Sequence, residues 1–218
     1  MNPLKLPNSR WHLILSHFHG LAFIVLFPIL TRAGIKEVPG YILSLHNDTI
    51  YGILAINTDV FGNLNEARLS HTIELPDSIG NFENLTPDDI NGFGFAFNSR
   101  QYTFVSKPVD SSGRLLFVQP VILGPKAALY CGVQLYYRLT EDLFFLQKED
   151  GTYTCLSSIM PPDEFRAKLK EFFKDDQDVT VLADACFRRH RRTDIQQDVA
   201  RVIRQANTQK EPPVVTQQ

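Results

Sequence analysis

Four arginines fall within five residues, Arg188, Arg189, Arg191 and Arg192, with His190 among them. Guanidinium groups packed this closely could grip phosphate, lipid A-type anions or an acidic envelope partner through paired N–H donors. The plainer reading is a solvated helix end, where positive charge offsets the negative end of the helix dipole. Cys131, Cys155 and Cys186 form an odd set. In an oxidising compartment Cys131 and Cys155 could pair as a disulfide, since both sit on expected strands near the end of a β-rich body. The alternative is three small buried apolar side chains. Neither Cys131 nor Cys155 has the basic neighbours that make a thiol nucleophilic. Cys186 has arginines nearby, but its helical spacing from Val179 and Leu182 faces it toward a core.

Other chemistry is sparse. His46, His71 and His190 stand alone, and neither His-x3-His nor Cys-x2-Cys occurs, so no metal site and no cofactor is expected. His17 and His19 are close, but in a segment expected to be removed. There is no Gly-x-Ser-x-Gly. Ser70 and His71, adjacent on an expected strand, would point to opposite faces and could not share a proton. The carboxylates Asp48, Asp77, Asp88, Asp89, Glu141, Asp142, Glu149 and Asp150 fall at expected turns, where such residues shape the backbone. Two of them brought together by the fold would make an acid–base pair. Gly92-x-Gly94 lacks the third glycine of a nucleotide loop, and its glycines instead let a neighbour pack against the strand. A net charge of −2 denies the footprint of a general nucleic-acid binder. Asn47-Asp-Thr49 and Asn84-Leu-Thr86 match the glycosylation pattern alone.

The elements that must position these residues begin after an unusual opening. Residues 1–33 contain no Asp or Glu, carry Lys5, Arg10 and Arg32, and include the apolar run 21–30. Ten helical residues span only about 15 Å, half of a bilayer's hydrocarbon core. Basic, then apolar, then Thr31-Arg32-Ala33 is the order of a secretory signal peptide, cut after Ala33. Its loss would take the net charge from −2 to −5. The rival reading makes residues 11–30 an uncleaved inner-membrane anchor, at the expense of placing His12, Ser16, His17 and His19 in or near lipid. Membrane contact is expected only in that case.

With 44% hydrophobic and 21% charged residues, the remainder suits a packed core. Residues 41–46 and 49–56 read as a hairpin around Asn47-Asp48, and residues 67–75 as a third strand. Residues 85–90 read as one helical turn with Thr86 as N-cap and Pro87 first inside. Phe93, Phe95 and Phe97 alternate with Gly92, Gly94 and Ala96, the pattern of a half-buried strand. Further strands are expected at 101–106, 114–123, 127–139, 143–147 and 152–156, with turns between. The fold class is therefore α+β. A mainly antiparallel β body of about eight or nine short strands spans 34–160, as a meander or small barrel. Residues 161–207 form a tail of two or three helices. Phe165, Leu169, Phe172 and Phe173 share a face of the first, Val179, Leu182 and Cys186 of the second, and Ile195, Val199, Val202, Ile203 and Ala206 of a third capped by Thr193-Asp194. Residues 208–218 should be loose, and no internal repeat is evident.

Gly40-Tyr-Ile-Leu-Ser-Leu-His-Asn-Asp-Thr-Ile-Tyr-Gly52 resembles the opening of an uncharacterised family of exported β-rich proteins from Gram-negative bacteria. Tyr102-Thr-Phe-Val-Ser-Lys107, Phe145-Leu-Gln-Lys-Glu-Asp-Gly151 and the helix over 165–176 resemble its later landmarks, so the likeness covers roughly residues 40–206. The resemblance implies export, to the periplasm or cell surface, and a β-then-α layout. It implies no activity or site. The expectation is a non-enzymatic cell-envelope binding or interaction protein. The alternatives are a hydrolase-type enzyme built from turn carboxylates and a membrane-tethered accessory domain.

Overall fold

The computed structural model describes residues 34–208 apart from 60, 78, 80, 111, 137–138 and 186–191. Ten strands form one open antiparallel sheet: β1 (Ile35–Ser44), β2 (Thr49–Asn57), β3 (Ile73–Pro76), β4 (Phe82–Leu85), β5 (Ile90–Phe97), β6 (Arg100–Pro108), β7 (Leu115–Ile122), β8 (Ala127–Tyr136), β9 (Leu139–Lys148) and β10 (Tyr153–Ser157). Their order is β10-β9-β8-β7-β6-β5-β1-β2-β3-β4. The α+β class stands, and the closed-barrel alternative does not. The simple meander also fails at one place, because β1 is inserted between β5 and β2.

Local chemistry accounts for the turns. Asn98 and Ser99 both take positive φ, 48° and 62°, which suits the twist of a two-residue hairpin. Gly113 and Gly151 supply φ values of 81° and 84° at the next turns. Two loops share the order Asp-x-apolar-Gly-Asn, at residues 59–63 and 77–81. Asp59 Oδ1 accepts the Phe61 and Asn63 amides, and Asp77 Oδ1 accepts those of Ile79 and Asn81 in the same way. At five residues the repeat is too short to stand out in the sequence, where no internal repeat is evident.

The expected third strand is half helix. Asn65 accepts the Arg68 amide at 3.1 Å and caps α1 (Glu66–Leu69), which ends at Ser70 before β3 begins. The expected helical turn at 85–90 is a single turn in which the Thr86 amide and hydroxyl both donate to Asp89 Oδ2. Thr86 is thus a donor to Asp89 and not the capping acceptor. The tail holds α2 (Pro162–Phe172), α3 (Gln177–Ala185) and α4 (Arg192–Thr208). Thr193 and Asp194 lie inside the first turn of α4 instead of preceding it.

The strand register places two cores side by side on one face of the sheet. The first joins Val38, Ile42, Leu54, Ile56, Phe93, Phe95, Phe97, Phe104 and Phe117, with Leu69 of α1 and Ile73 folded over them. Phe93 stacks on Phe104 at 4.7 Å and meets Phe117 edge-on at 4.9 Å. The Gln119–Cys131 pairing carries the same face onward to Leu129, Phe144, Leu146 and Leu156. There α2, α3 and α4 cover it with Phe165, Leu169, Val179, Val199 and Val202. Each fully buried Leu or Phe contributes roughly 1.5–3 kcal/mol, so both cores are substantial. A smaller cluster, Val109, Leu116, Val118, Leu143 and Phe145, occupies the opposite face.

Candidate functional site

Helix cover is incomplete between the two cores. α1 shields one and α4 the other, and a pocket of about 210 Å³ opens where they fail to meet. Its polar lining is Glu66 and Ser70 from the α1 segment, Gln119 from β7, Cys131 from β8, Asp142 from β9 and Gln196 from α4, over a floor of Phe104 and Phe144. Ser70 fixes this arrangement. Its carbonyl accepts the Phe117 amide at 2.9 Å and its hydroxyl accepts the Val133 amide at 3.2 Å, tying α1 to both β7 and β8. Asp142 is held by its backbone, which exchanges hydrogen bonds with Ser158 at 2.8 and 2.9 Å.

Among the described lining residues, the charged groups are both carboxylates. Burial pushes the Cys131 thiol up to about 12, with the negative charges of Asp142 and Glu66 adding to the effect. Cys131 is therefore a neutral thiol at ordinary pH, and Gln196 Nε2 approaches its sulfur at 4.0 Å. Among the described residues, two carboxylates and two side-chain amides line the pocket. Such a lining favours a ligand rich in N–H donors or carrying positive charge. The volume lies below the roughly 300–1,000 Å³ of drug-sized sites, so the fit is to a small molecule or one side chain.

A second, more open depression of about 420 Å³ lies on the other side of Glu66, lined by Asn63, Phe97, Asn98, Arg100 and Tyr102. Among the described residues, no group of three or more His, Cys, Asp and Glu is placed to hold a metal ion.

The residues singled out in the sequence mostly lie elsewhere. Arg188, Arg189, Arg191, Cys186 and His190 fall outside the described residues, as do residues 1–33 and 209–218. Arg192 starts α4, and its side chain is also outside them. Cys131 and Cys155 are both free. Cys131 shares a face with Phe144 and Cys155 with Phe145, so β9 lies between them and they point to opposite sides of the sheet. That geometry forbids a disulfide without rebuilding the sheet. Burial holds the Cys155 thiol near 12 as well.

Ser70 does not sit on a strand beside His71. It terminates α1, and His71 follows with its pKa lowered by packing around the ring and by Arg114. His46 lies exposed in the β1–β2 turn. Asp77, Asp89 and Asp150 do serve their own turns. Glu141 and Asp142 do not, because both lie within β9. Glu141, only 5% exposed, accepts from Gln134 Nε2 at 2.7 Å and from Ser157 Oγ on the face away from the pocket. Glu66, Gln119 and Gln196 belong to no motif visible in the sequence. Asn65 followed by Glu66 is a helix-start signal that would have flagged the first, while the two glutamines carry no local signal.

Comparison with protein-family models, curated proteins and solved structures gives no match. The fold defines the class: an open antiparallel sheet backed by C-terminal helices, with a polar pocket between its two cores. Among the described residues no helix is long and apolar enough to cross a membrane.

Proposed function

We propose that this chain is an exported cell-envelope binding protein, not an enzyme, and that it takes a small cationic or amine-bearing ligand in the pocket between α1 and α4. One observation carries the reading: the carboxylates of Glu66 and Asp142 line one small pocket together with the side-chain amides of Gln119 and Gln196 and the neutral Cys131 thiol. A ligand ammonium would be drawn to these carboxylates by charge and could donate to the amide oxygens beside them. The protonated Cys131 supports binding over covalent chemistry, since the thiolate is the nucleophilic form. Export rests on the basic, apolar and small-residue order of residues 1–33.

Calorimetric titration with ethanolamine, putrescine, glucosamine and arginine tests the ligand class. Saturable binding by at least one, lost in Glu66→Gln/Asp142→Asn, is the expected result. Equal binding by that double variant, or turnover in a hydrolase screen that the variant abolishes, would overturn it. Intact mass of the protein recovered from the envelope tests export, with a start at Gly34 expected.

A further inference from the structure

We infer that the sheet end at which Gly34 enters is a membrane-docking surface, seating Phe61 in a lipid bilayer's interface with Lys36 and Arg100 against its headgroups. The strand directions assemble this end. The Gly34 carbonyl accepts the Thr58 amide at 2.8 Å, so the chain arrives beside the loop at 59–63. β5 runs back to the same end, and the Asn98-Ser99 turn returns Arg100 there opposite Phe97. Residues 1–33, with their apolar run 21–30, three basic residues and no acidic one, join the described chain at this point.

The surface itself has the make-up of an interfacial anchor. Phe61 is 86% exposed, and Ile35 at the chain entry is 41% exposed. The loop is not slack, because Asp59 accepts the Phe61 and Asn63 amides at 2.8 and 2.9 Å and the Asn63 side chain at 3.0 Å. A bulky apolar side chain held outward on a tight loop loses little conformational freedom when it enters lipid. Lys36 Nζ lies 5.3 Å over the Phe97 ring, close to Gly62. Arg100 is exposed, lines the open depression with Asn63, Asn98 and Tyr102, and forms no ion pair among the described residues. Glu66 lines the same depression from its inner side. Aromatic tips and long cationic side chains are the groups that favour the headgroup boundary.

The fold supplies its own control. The loop at 77–81 repeats the Asp-x-apolar-Gly-Asn order and exposes Ile79 to 82%. β3 runs antiparallel to β2, so it carries that loop away from the Gly34 end. An interface set by position should need Phe61 and ignore Ile79.

The test uses the chain beginning at Gly34, which contains every residue of the three cores, from Val38 to Ala206. It is sedimented with vesicles of phosphatidylcholine and phosphatidylglycerol, and with phosphatidylcholine alone. Binding to the mixed vesicles is expected, weakened roughly tenfold or more by Phe61→Ser and unchanged by Ile79→Ser. Lys36→Gln/Arg100→Gln should weaken binding several-fold on the mixed vesicles and far less on phosphatidylcholine alone. Matching thermal transitions establish that the variants are folded. No sedimentation, or equal effects of the Phe61 and Ile79 changes, would overturn the inference and leave Phe61 to a protein partner. The pocket variants at Glu66 and Asp142 test a separate claim by a separate readout.

Discussion

Asn207 pairs with Ala127 as a strand residue would: its Nδ2 donates to the Ala127 carbonyl at 2.8 Å, and its Oδ1 accepts the Ala127 amide at 3.0 Å. The same oxygen accepts the Lys126 amide at 3.0 Å. One side chain near the end of α4 thus satisfies the start of β8 and fixes the helix over the second core.

Replacing that side chain should be costly. Asn207→Ala leaves partly buried backbone groups unpaired, a loss of about 1–3 kcal/mol. For a chain of this size the midpoint of thermal unfolding should fall by roughly 3–10 °C. Calorimetry on the purified variant checks this, and an unchanged midpoint would show that water replaces the amide without loss.

Gly92 is expected to tolerate no side chain. A Cβ there would stand 2.3 Å from the Phe104 carbonyl oxygen and 3.2 Å from the Val105 Cα, both backbone atoms of the paired strand. Gly92→Ala must therefore separate β5 from β6, with a destabilisation of about 1–3 kcal/mol. Gly113→Asn, at a turn with open space and a φ of 81°, should cost far less. Urea titration of the two variants side by side measures the difference.

The Ser70 hydroxyl makes a residue-specific prediction. Ser70→Ala removes the acceptor of the Val133 amide and keeps the carbonyl that accepts the Phe117 amide. Hydrogen exchange should accelerate at Val133 by roughly tenfold and change little at Phe117. Equal acceleration at both would mean that α1 has detached as a unit.

The two thiols predict the alkaline limb of the stability curve. Both are held near 12 in the folded chain against an ordinary value of 9.0, so the folded state resists losing these protons. Their contribution is complete below about pH 9 and is lost as pH rises toward about 12. Cys131→Ala/Cys155→Ala should therefore flatten the decline in stability over that window. Iodoacetamide at mildly alkaline pH should label both thiols slowly in the folded chain and quickly in urea, which the intact mass reads directly.

Much of the local structure is legible in the sequence alone. The alternation of Phe93, Phe95 and Phe97 marks β5, and the spacing of Phe165, Leu169 and Phe172 marks the buried face of α2. Asp110-Ser-Ser-Gly113 and Glu149-Asp-Gly151 mark their turns because positive φ is a demand that glycine meets within one residue. Elsewhere, a few residues hold two competing signals. Over 67–75 the apolar spacing suits a strand, but Asn65 can cap a helix and Leu69 finds a core to enter only if the chain coils.

The pocket was not legible in the same way. Glu66, Asp142 and Gln196 are far apart along the chain and belong to three different elements. Asp142 read as a turn residue because Glu141-Asp142 looks polar enough to interrupt a strand. It stays in β9 because the alternation sends Glu141 to Gln134 and Ser157 on one face and Asp142 to the pocket on the other.

By itself, then, the sequence determined the class of fold, the hairpin turns and the apolar face of each helix. These follow from dihedral preference and periodicity, which act over a few residues. Only the tertiary structure decided that β1 enters between β5 and β2, that β9 separates Cys131 from Cys155, and that α1 and α4 leave a pocket between them. Those outcomes depend on which strands bury their faces together across long stretches of chain, and the cost of closing such contacts is met by the assembled core, not by any local segment.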